Sequence, residues 1–332
     1  MVEDATRKGT SISLVVTVKN EAASIATLLE SIKAQTLPPE EIVLIEAGST
    51  DGSPAIIEGF KTALPQLRVT VARGMNISQG RNLGILAGRN EIIAVTDAGC
   101  RLAVNWLEEI TKPLVENPRA ACVVGSVIPD PRTGFERCAG ICSLSHTEGR
   151  TMSVPKGSAR SLAFRKSAWE AVGEFPDWLP IGEDSLFIQH LEIRGFELVL
   201  RPGAVVYWRP RSSYRGIVVQ FFRYAQAAAR TGMVRRIYHK TLWKYLLLAA
   251  LVVIGWVSRS IWILPIPGVF VLLHFLRKMR RLGSRIKPLD LWRIPAISIA
   301  VQVGVLAGLV TGLLERWFNP FWREQVEKRR AE

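Results

Sequence analysis

The side chains able to bind or transform a small molecule gather at the ends of predicted strands and at one helix start. Asn20, Glu46 and Asp97 each close a short β-branched run, and Glu183 and Asp184 follow Gly182 where a helical pattern begins. Side chains of these types can accept hydrogen bonds from a ligand, and the carboxylates can also help hold a cation or take up a proton. Each also has a plain structural use. Asn20-Glu21 reads as a helix N-cap with a first-turn acid, and acids such as Glu183 and Asp184 are favoured at a helix N-terminus on electrostatic grounds alone. The four cysteines, Cys100, Cys122, Cys138 and Cys142, have neither zinc-ribbon nor thioredoxin spacing and are expected to be free thiols.

The elements that must position these residues alternate regularly. Residues 11–18 form a strand-like run, and 23–35 carry Ile25, Leu28, Leu29 and Ile32 at helical spacing before Pro38-Pro39 stops the pattern. A strand at 41–45 then leads into the turn Gly48-Ser49-Thr50-Asp51-Gly52. A helix at 53–60, a strand at 67–72, a helix at 78–87 and a strand at 91–96 complete the series. The β-α-β-α-β-α-β order predicts an α/β fold, a mostly parallel sheet with helices on both faces. Ligands of such sheets bind beyond the carboxyl ends of the strands, which is where Asn20, Glu46 and Asp97 would fall. Residues 120–210 are less regular, with strand-like pieces at 121–127 and 197–199 and a helix around 184–193.

Composition divides the chain. It has 332 residues, 48% of them hydrophobic, and a net charge of +14, yet every long apolar run lies after position 241. From Leu198 to Leu289 there is no Asp or Glu, while Arg and Lys recur. A basic, acid-free stretch running into apolar segments suits an anionic membrane surface, and no nucleic-acid-binding motif is present. Residues 214–240 set Ile217, Phe221, Phe222 and Tyr224 against Arg215, Arg223, Arg230, Arg235 and Arg236, the pattern of interfacial helices. The runs 242–257 and 261–276 fall short of the roughly 20 residues a span needs, whereas 294–314 is uncharged throughout and is the best spanning candidate. The expected organisation is a catalytic domain at 1–213, interfacial helices at 214–240, a membrane region at 241–315 and a charged tail at 316–332. With a basic loop at 277–287 and no apolar segment near the N-terminus, the protein is expected in the membrane with its catalytic domain cytoplasmic.

Five motifs in order resemble the family 2 glycosyltransferases of the GT-A fold, over about residues 11–225. Thr17, Asn20 and Glu21 stand where that family borders the donor nucleotide. Glu46-Ala47-Gly48-Ser49-Thr50-Asp51 resembles its Asp-x-Gly-Ser-x-Asp turn, with Glu46, Gly48 and Asp51 as nucleotide-side residues. Arg81-Asn82 resembles the pair preceding the metal-site strand, and Gly182-Glu183-Asp184 the catalytic Glu-Asp pair. The resemblance implies an inverting transfer from a nucleotide-diphospho-sugar, with Asp184 as the base that deprotonates the acceptor hydroxyl and Glu183 supporting it. Lys156-Gly157-Ser158 and Phe164-Arg165 fall where the family has acceptor-side residues. The implied partners are the sugar donor, a lipid-linked or envelope-glycan acceptor and the membrane, without nucleic acid.

The chain departs from the family where Asp-x-Asp holds a divalent cation. Here the motif is Asp97-Ala98-Gly99, and where a histidine ligand is common the chain reads Trp208-Arg209-Pro210-Arg211. Asp97 remains as a ligand for Mg²⁺ or Mn²⁺, and Arg209 or Arg211 can instead neutralise the leaving phosphates. Two alternatives follow. One is a processive polysaccharide synthase, whose Gln-x-x-Arg-Trp signature is approached by Gln220-Phe221-Phe222-Arg223-Tyr224; the other is an inactive membrane scaffold that keeps the nucleotide-sugar fold.

Overall fold

The computed structural model describes residues 11–144, 157–233 and 290–331, with scattered positions between 238 and 269. The run 261–276 and the basic loop 277–287 lie almost entirely outside the described residues, and 242–257 in part. The chain forms two compact units, one of residues 1–132, 147–210 and 329–332, the other of 133–146 and 211–328.

The first unit is built on an eight-stranded sheet. Its strands are β1 (Ile12–Val18), β2 (Glu41–Glu46), β3 (Leu67–Val71), β4 (Ile92–Asp97), β5 (Cys100–Leu102), β6 (Ala120–Pro129), β7 (Leu162–Arg165) and β8 (Glu197–Trp208). They lie in the order β3-β2-β1-β4-β7-β6-β8-β5. The first four are mutually parallel, as the alternating pattern predicts. β7 enters antiparallel between β4 and β6, and β5 pairs antiparallel with β8, so the second half of the sheet is mixed. Register brings the strand ends together: Thr17 is opposite Asp97 and Val18 is opposite Glu46, while Cys100, three residues beyond Asp97, is opposite Trp208.

Both faces of the sheet are covered, which is why the central strands are apolar almost throughout. On one face Leu14, Val16, Leu44 and Ala94 pack with α1 (Ile25–Lys33), α2 (Ser53–Phe60) and α4 (Trp106–Glu116). On the other, Val15, Ile45, Val95 and Phe164 meet α3 (Ile77–Ala87), α6 (Lys166–Ala171) and α7 (Glu183–Ile193). α3 runs unusually close to the sheet. A Cβ at Gly84 would lie 2.5 Å from Val15 Cγ1, and one at Gly80 would lie 3.2 Å from Thr17 Cγ2.

The second unit is helical: α5 (Gly134–Leu144), α8 (Tyr214–Arg230), α9 (Asp290–Phe318) and α10 (Pro320–Ala331). α9 is long and apolar enough to cross a membrane. It lays Gly304, Gly308 and Gly312 against α8, where a Cβ would come within 2.2–2.5 Å of the Phe222, Val218 and Gln226 carbonyl oxygens. Such a small-residue ridge lets two helix backbones touch. At one end of α9, Asp290 is fully buried and takes three hydrogen bonds from Arg137 of α5, and at the other Glu315 accepts from Arg230 and Gln226. The four cysteines are free and buried.

The closeness of α3 gives a first prediction. Gly84→Val is expected to lower unfolding free energy by about 1–3 kcal/mol through overpacking against Val15, whereas Leu86→Val, on the exposed side of the same helix, should stay within about 0.5 kcal/mol. Urea unfolding of the two variants in detergent reads the difference.

Candidate active site

The site is assembled around Arg81. This side chain leaves the buried side of α3 and is 2% exposed. Its Nη2 donates to Asp97 Oδ1 at 2.6 Å, and its Nη1 donates to Glu183 Oε1. One cation therefore ties the end of β4 to the first turn of α7. Burial works against its charge, but Glu183, Asp97 and Asp184 outweigh that effect and hold the guanidinium protonated. Arg81 also lies 5.8 Å from the Phe175 ring centre, on a loop that Asn82 clamps by taking the Phe175 N–H at 3.1 Å and giving to its carbonyl at 2.8 Å.

The two acids of the helix start are in unlike environments. Glu183 is 4% exposed. Burial pushes its carboxyl up to about 7, with Arg81 pulling against that rise and Asp184 adding to it. Asp184 is half-buried; its Oδ2 accepts the Ala159 N–H at 3.0 Å and its Oδ1 lies within reach of the Ser185 hydroxyl. Gly182 starts the helix with a positive φ of 84°, which lets both acids enter the first turn, where the peptide dipoles favour negative charge.

The segment 157–161 runs between Asp184 and the end of β4. A Cβ at Gly157 would lie 2.5 Å from Ile188 Cδ1 and 2.9 Å from Val124 Cγ2, so any side chain there would make both neighbours shift. Thr96 donates to the Arg160 carbonyl at 2.8 Å, while Ser161 receives the Trp106 indole N–H and donates to the Ala204 carbonyl. Thus anchored, Arg160 places its Nε 3.7 Å from Asp97 Oδ2 and its guanidinium 4.9 Å from the Trp208 ring centre. Sequence reading did not single out Arg160; its one signal was adjacency to the Lys156-Gly157-Ser158 stretch.

The residues expected on the nucleotide side form a second, stitched group. The backbone N–H groups of Asn20, Glu21 and Ala22 donate to Ser49 Oγ, Ser53 Oγ and Asp51 Oδ2, each at 2.9 Å, and Asn20 Oδ1 accepts from Thr50 N. Asn20 adopts a φ of +56°, a conformation asparagine tolerates. Hydrogen bonds from the Ser53 hydroxyl and the Ala22 N–H hold the Asp51 carboxyl below its usual range. Burial would raise Glu46, but hydrogen bonds from Ser49 and the Gly48 N–H prevail and lower it. Gly48, at φ +84°, turns beneath Arg73, and Thr17 is half-buried beside Gly80.

The structure therefore brings together Arg81, Asp97, Glu183 and Asp184, and separately ties Asn20, Glu21 and Asp51 into one double loop. Asn82 has both amide ends on the Phe175 backbone. Arg165 donates to the Ala120 and Leu114 carbonyls, a bond between strands and α4. The arginine that joins Arg81 at Asp97 is Arg160; Arg209 is exposed just past β8, and Arg211 is exposed in the helical unit. Lys156 lies outside the described residues.

A sheet of this order, with acids and guanidinium groups gathered beyond its strand ends, is the frame of a GT-A glycosyltransferase. Residues 13–162 match the model of Glycosyl transferase family 2, and residues 92–276, more than half of the chain, match Glycosyl transferase family group 2. The chain belongs to the family 2 glycosyltransferases. It is similar to glycosyltransferase AglE of Haloferax volcanii, 25% identical over 313 residues covering 91% of this chain and 96% of the relative. Putative glycosyltransferase EpsH of Bacillus subtilis is 32% identical over 102 residues, 31% of this chain and 30% of that one. Among solved structures, the mannosyltransferase PcManGT from Pyrobaculum calidifontis, in complex with GDP-Man and Mn²⁺, superposes with a TM-score of 0.60 at 19% identity, over 94% of this chain and 89% of that one.

The electrostatics of Glu183 give a second prediction. A carboxyl whose folded pKa lies near 7, above its value of 4.5 in an open chain, binds more protons when folded than unfolded between those values. Its contribution to stability is therefore greatest below about pH 4.5 and is lost as pH rises through about 7. Thermal unfolding of the wild type should lose stability across that window relative to Glu183→Gln, whose profile there is expected to be flatter.

Proposed function

We propose that the protein transfers a sugar, with inversion, from a nucleotide-diphospho-sugar to an acceptor at the membrane surface, a lipid-linked sugar or an envelope glycan. The observation that carries this reading is the Arg81 bridge. It holds the donor-side carboxylate Asp97 and the helix-start pair Glu183-Asp184 in one rigid cluster at the strand ends. A transfer needs both halves: one side to hold the diphosphate and the other to receive a proton.

In the proposed step the acceptor hydroxyl oxygen forms a bond to the anomeric carbon from the face opposite the diphosphate. The bond from that carbon to the phosphate oxygen breaks, and the hydroxyl proton passes to Asp184. Asp184 suits the role because it is half-buried and oriented by the Ala159 N–H. Glu183 is buried on Arg81 and serves as a positioning residue. Arg160, held across the Trp208 ring, supplies positive charge for the departing nucleoside diphosphate.

The residues also fit one divalent cation of the Mg²⁺ or Mn²⁺ type. Asp97 gives one oxygen to Arg81, and its other lies 3.7 Å from Arg160, too long for a hydrogen bond. Among the described residues no group of three or more His, Cys, Asp or Glu could hold a metal. The fit is accordingly to an ion shared between protein carboxylate and donor phosphates, which is how such ions are commonly held. When bound, the ion would neutralise charge on the leaving diphosphate.

The membrane assignment rests on α9, whose 18-residue core has a mean hydropathy of 2.1. Its outward face carries Ile299, Val303, Val310 and Leu314, with Trp292 near one end and Trp317 and Phe318 near the other, the placement aromatic side chains favour at bilayer interfaces. α8 exposes Arg215 and Arg223, cations suited to phosphate headgroups or to the phosphate of a lipid-linked acceptor. In this reading the α/β unit carries catalysis and the helical unit meets the bilayer, with the catalytic unit on the cytoplasmic side.

The test is donor turnover by the full chain in mild detergent across UDP-, GDP- and dTDP-sugars. Asp184→Asn is expected to lower kcat by about 10²–10⁴ while nucleoside diphosphate binding persists. Undiminished turnover, or a product that keeps the donor's anomeric configuration, would overturn the assignment.

A further inference from the structure

The turn after β4 contains a glycine where the family's second metal-binding aspartate stands, and the structure shows what fills that space. A Cβ built on Gly99 would meet Glu21 Oε2 at 3.6 Å, Glu21 Oε1 at 3.7 Å and Glu21 Cδ at 3.9 Å. Gly99 is not in the left-handed region, so its backbone does not itself demand glycine. The three atoms nearest the position all belong to that one carboxylate, which is presented by both oxygens. An aspartate at 99 would extend its own carboxyl group directly into it. Gly99 and Glu21 thus divide a single volume: the acid is absent from the turn and arrives from the neighbouring loop.

Resting on the metal-assisted reading above, we propose that Glu21 supplies the second protein carboxylate for the divalent cation, opposite Asp97, in place of the missing acid at position 99.

Three features equip Glu21 for this. Its backbone is fixed, because its N–H donates to Ser53 Oγ at 2.9 Å within the double loop that joins the ends of β1 and β2. Its carboxylate is oriented, because Ser24 donates to Oε2. Register sets β1 beside β4 with Thr17 opposite Asp97, so the loop leaving β1 passes the end of β4. Charge agrees as well. Even with Glu183 counted as neutral, Glu21, Asp97 and Asp184 bring three carboxyl groups to a cluster that contains two guanidinium groups, Arg81 and Arg160, leaving an excess of negative charge that a divalent ion offsets. Glu21 therefore has a use separate from the nucleotide contact its position in the motif implies. Exchange of a short acid in the turn for a long one in the next loop keeps two oxygen donors, which is what Mg²⁺ and Mn²⁺ require of the protein when phosphates and water complete the shell.

The experiment measures metal directly. Mn²⁺ is titrated into the full chain in detergent, with UDP or GDP present, and the loss of the free Mn²⁺ signal is followed by electron paramagnetic resonance. The wild type should bind one Mn²⁺ with nucleotide and much less without it. Glu21→Gln is expected to weaken Mn²⁺ binding by at least about 10–100-fold, the loss typical of removing even a group that only supports a metal ligand. Gly99→Asp added to Glu21→Gln should restore most of the affinity, since it returns a carboxylate to the same volume. Gly99→Asp alone leaves the Glu21 loop bonds in place but crowds the carboxylate, and should change Mn²⁺ affinity or the bound-ion spectrum even if Glu21→Gln folds poorly. Full Mn²⁺ affinity in a folded Glu21→Gln, or an unaltered Gly99→Asp, would overturn the assignment and leave the transferase reading intact. Nucleotide binding by the wild type with no Mn²⁺ uptake would overturn the assignment together with metal assistance, while sugar transfer measured in chelator would still stand or fall by itself.

Discussion

The arrangement of the proposed catalytic cluster depends on one buried guanidinium. Arg81 is almost fully enclosed, and a charge taken out of water must be matched by partners of good geometry or it costs several kcal/mol. Its two partners come from elements far apart in sequence, β4 and α7, so pairing it fixes the distance between them. Gly80 and Gly84 are the other half of that constraint, since without their close approach to Thr17 and Val15 the helix would stand off the sheet and carry the guanidinium away. A second tie, the segment 158–161, repeats the connection in backbone: Thr96 holds the carbonyl of Arg160 and Asp184 holds the N–H of Ala159. The end of β4 and the start of α7 are consequently tied into one body rather than left as two facing loops.

The acids around the strand ends show how one residue type is turned to different uses. Asp51 and Glu46 are ionised acceptors, each taking hydrogen bonds from a loop N–H and a serine hydroxyl, and their role is to close turns. Glu183 is buried, short of donors other than Arg81, and poised near neutrality. Asp184, one position further along the helix, has more solvent and two backbone donors to aim it, the N–H groups of Ala159 and Ser185. Burial and donor count, not identity, separate these roles.

Much of this is legible in the sequence. The parallel half of the sheet was readable because buried parallel strands are apolar without alternation and alternate with helices of period 3.6, and β1 to β4 lie close to the expected ranges. The convergence of Asn20, Glu46 and Asp97 on one edge followed from that topology and agrees with the register. β7 escaped notice because it is four residues long and buried by insertion between two other strands, so its sequence carries no period of its own. β8 read as three residues because its second half is interrupted by Pro202-Gly203 and pairs through a bulge. The helix at 134–144 carried no strong pattern and belongs to the other unit. Arg160 was invisible for another reason: its place beside Asp97 is made by tertiary hydrogen bonds to Thr96 and by the Trp208 ring, which no local pattern encodes.

The glycine ridge of α9 has a consequence in time. Gly304, Gly308 and Gly312 close on carbonyls of Val218, Phe222 and Gln226, about 86 residues earlier in the chain. At a synthesis rate of roughly 5–20 residues per second, α8 leaves the ribosome roughly 4–17 seconds before its partner. During that interval the face it will bury, Ile217, Ala225 and Ala229 among others, has no α9 to cover it. The newborn protein must shelter a greasy helix face for seconds, and the membrane surface or a chaperone is the natural place to keep it.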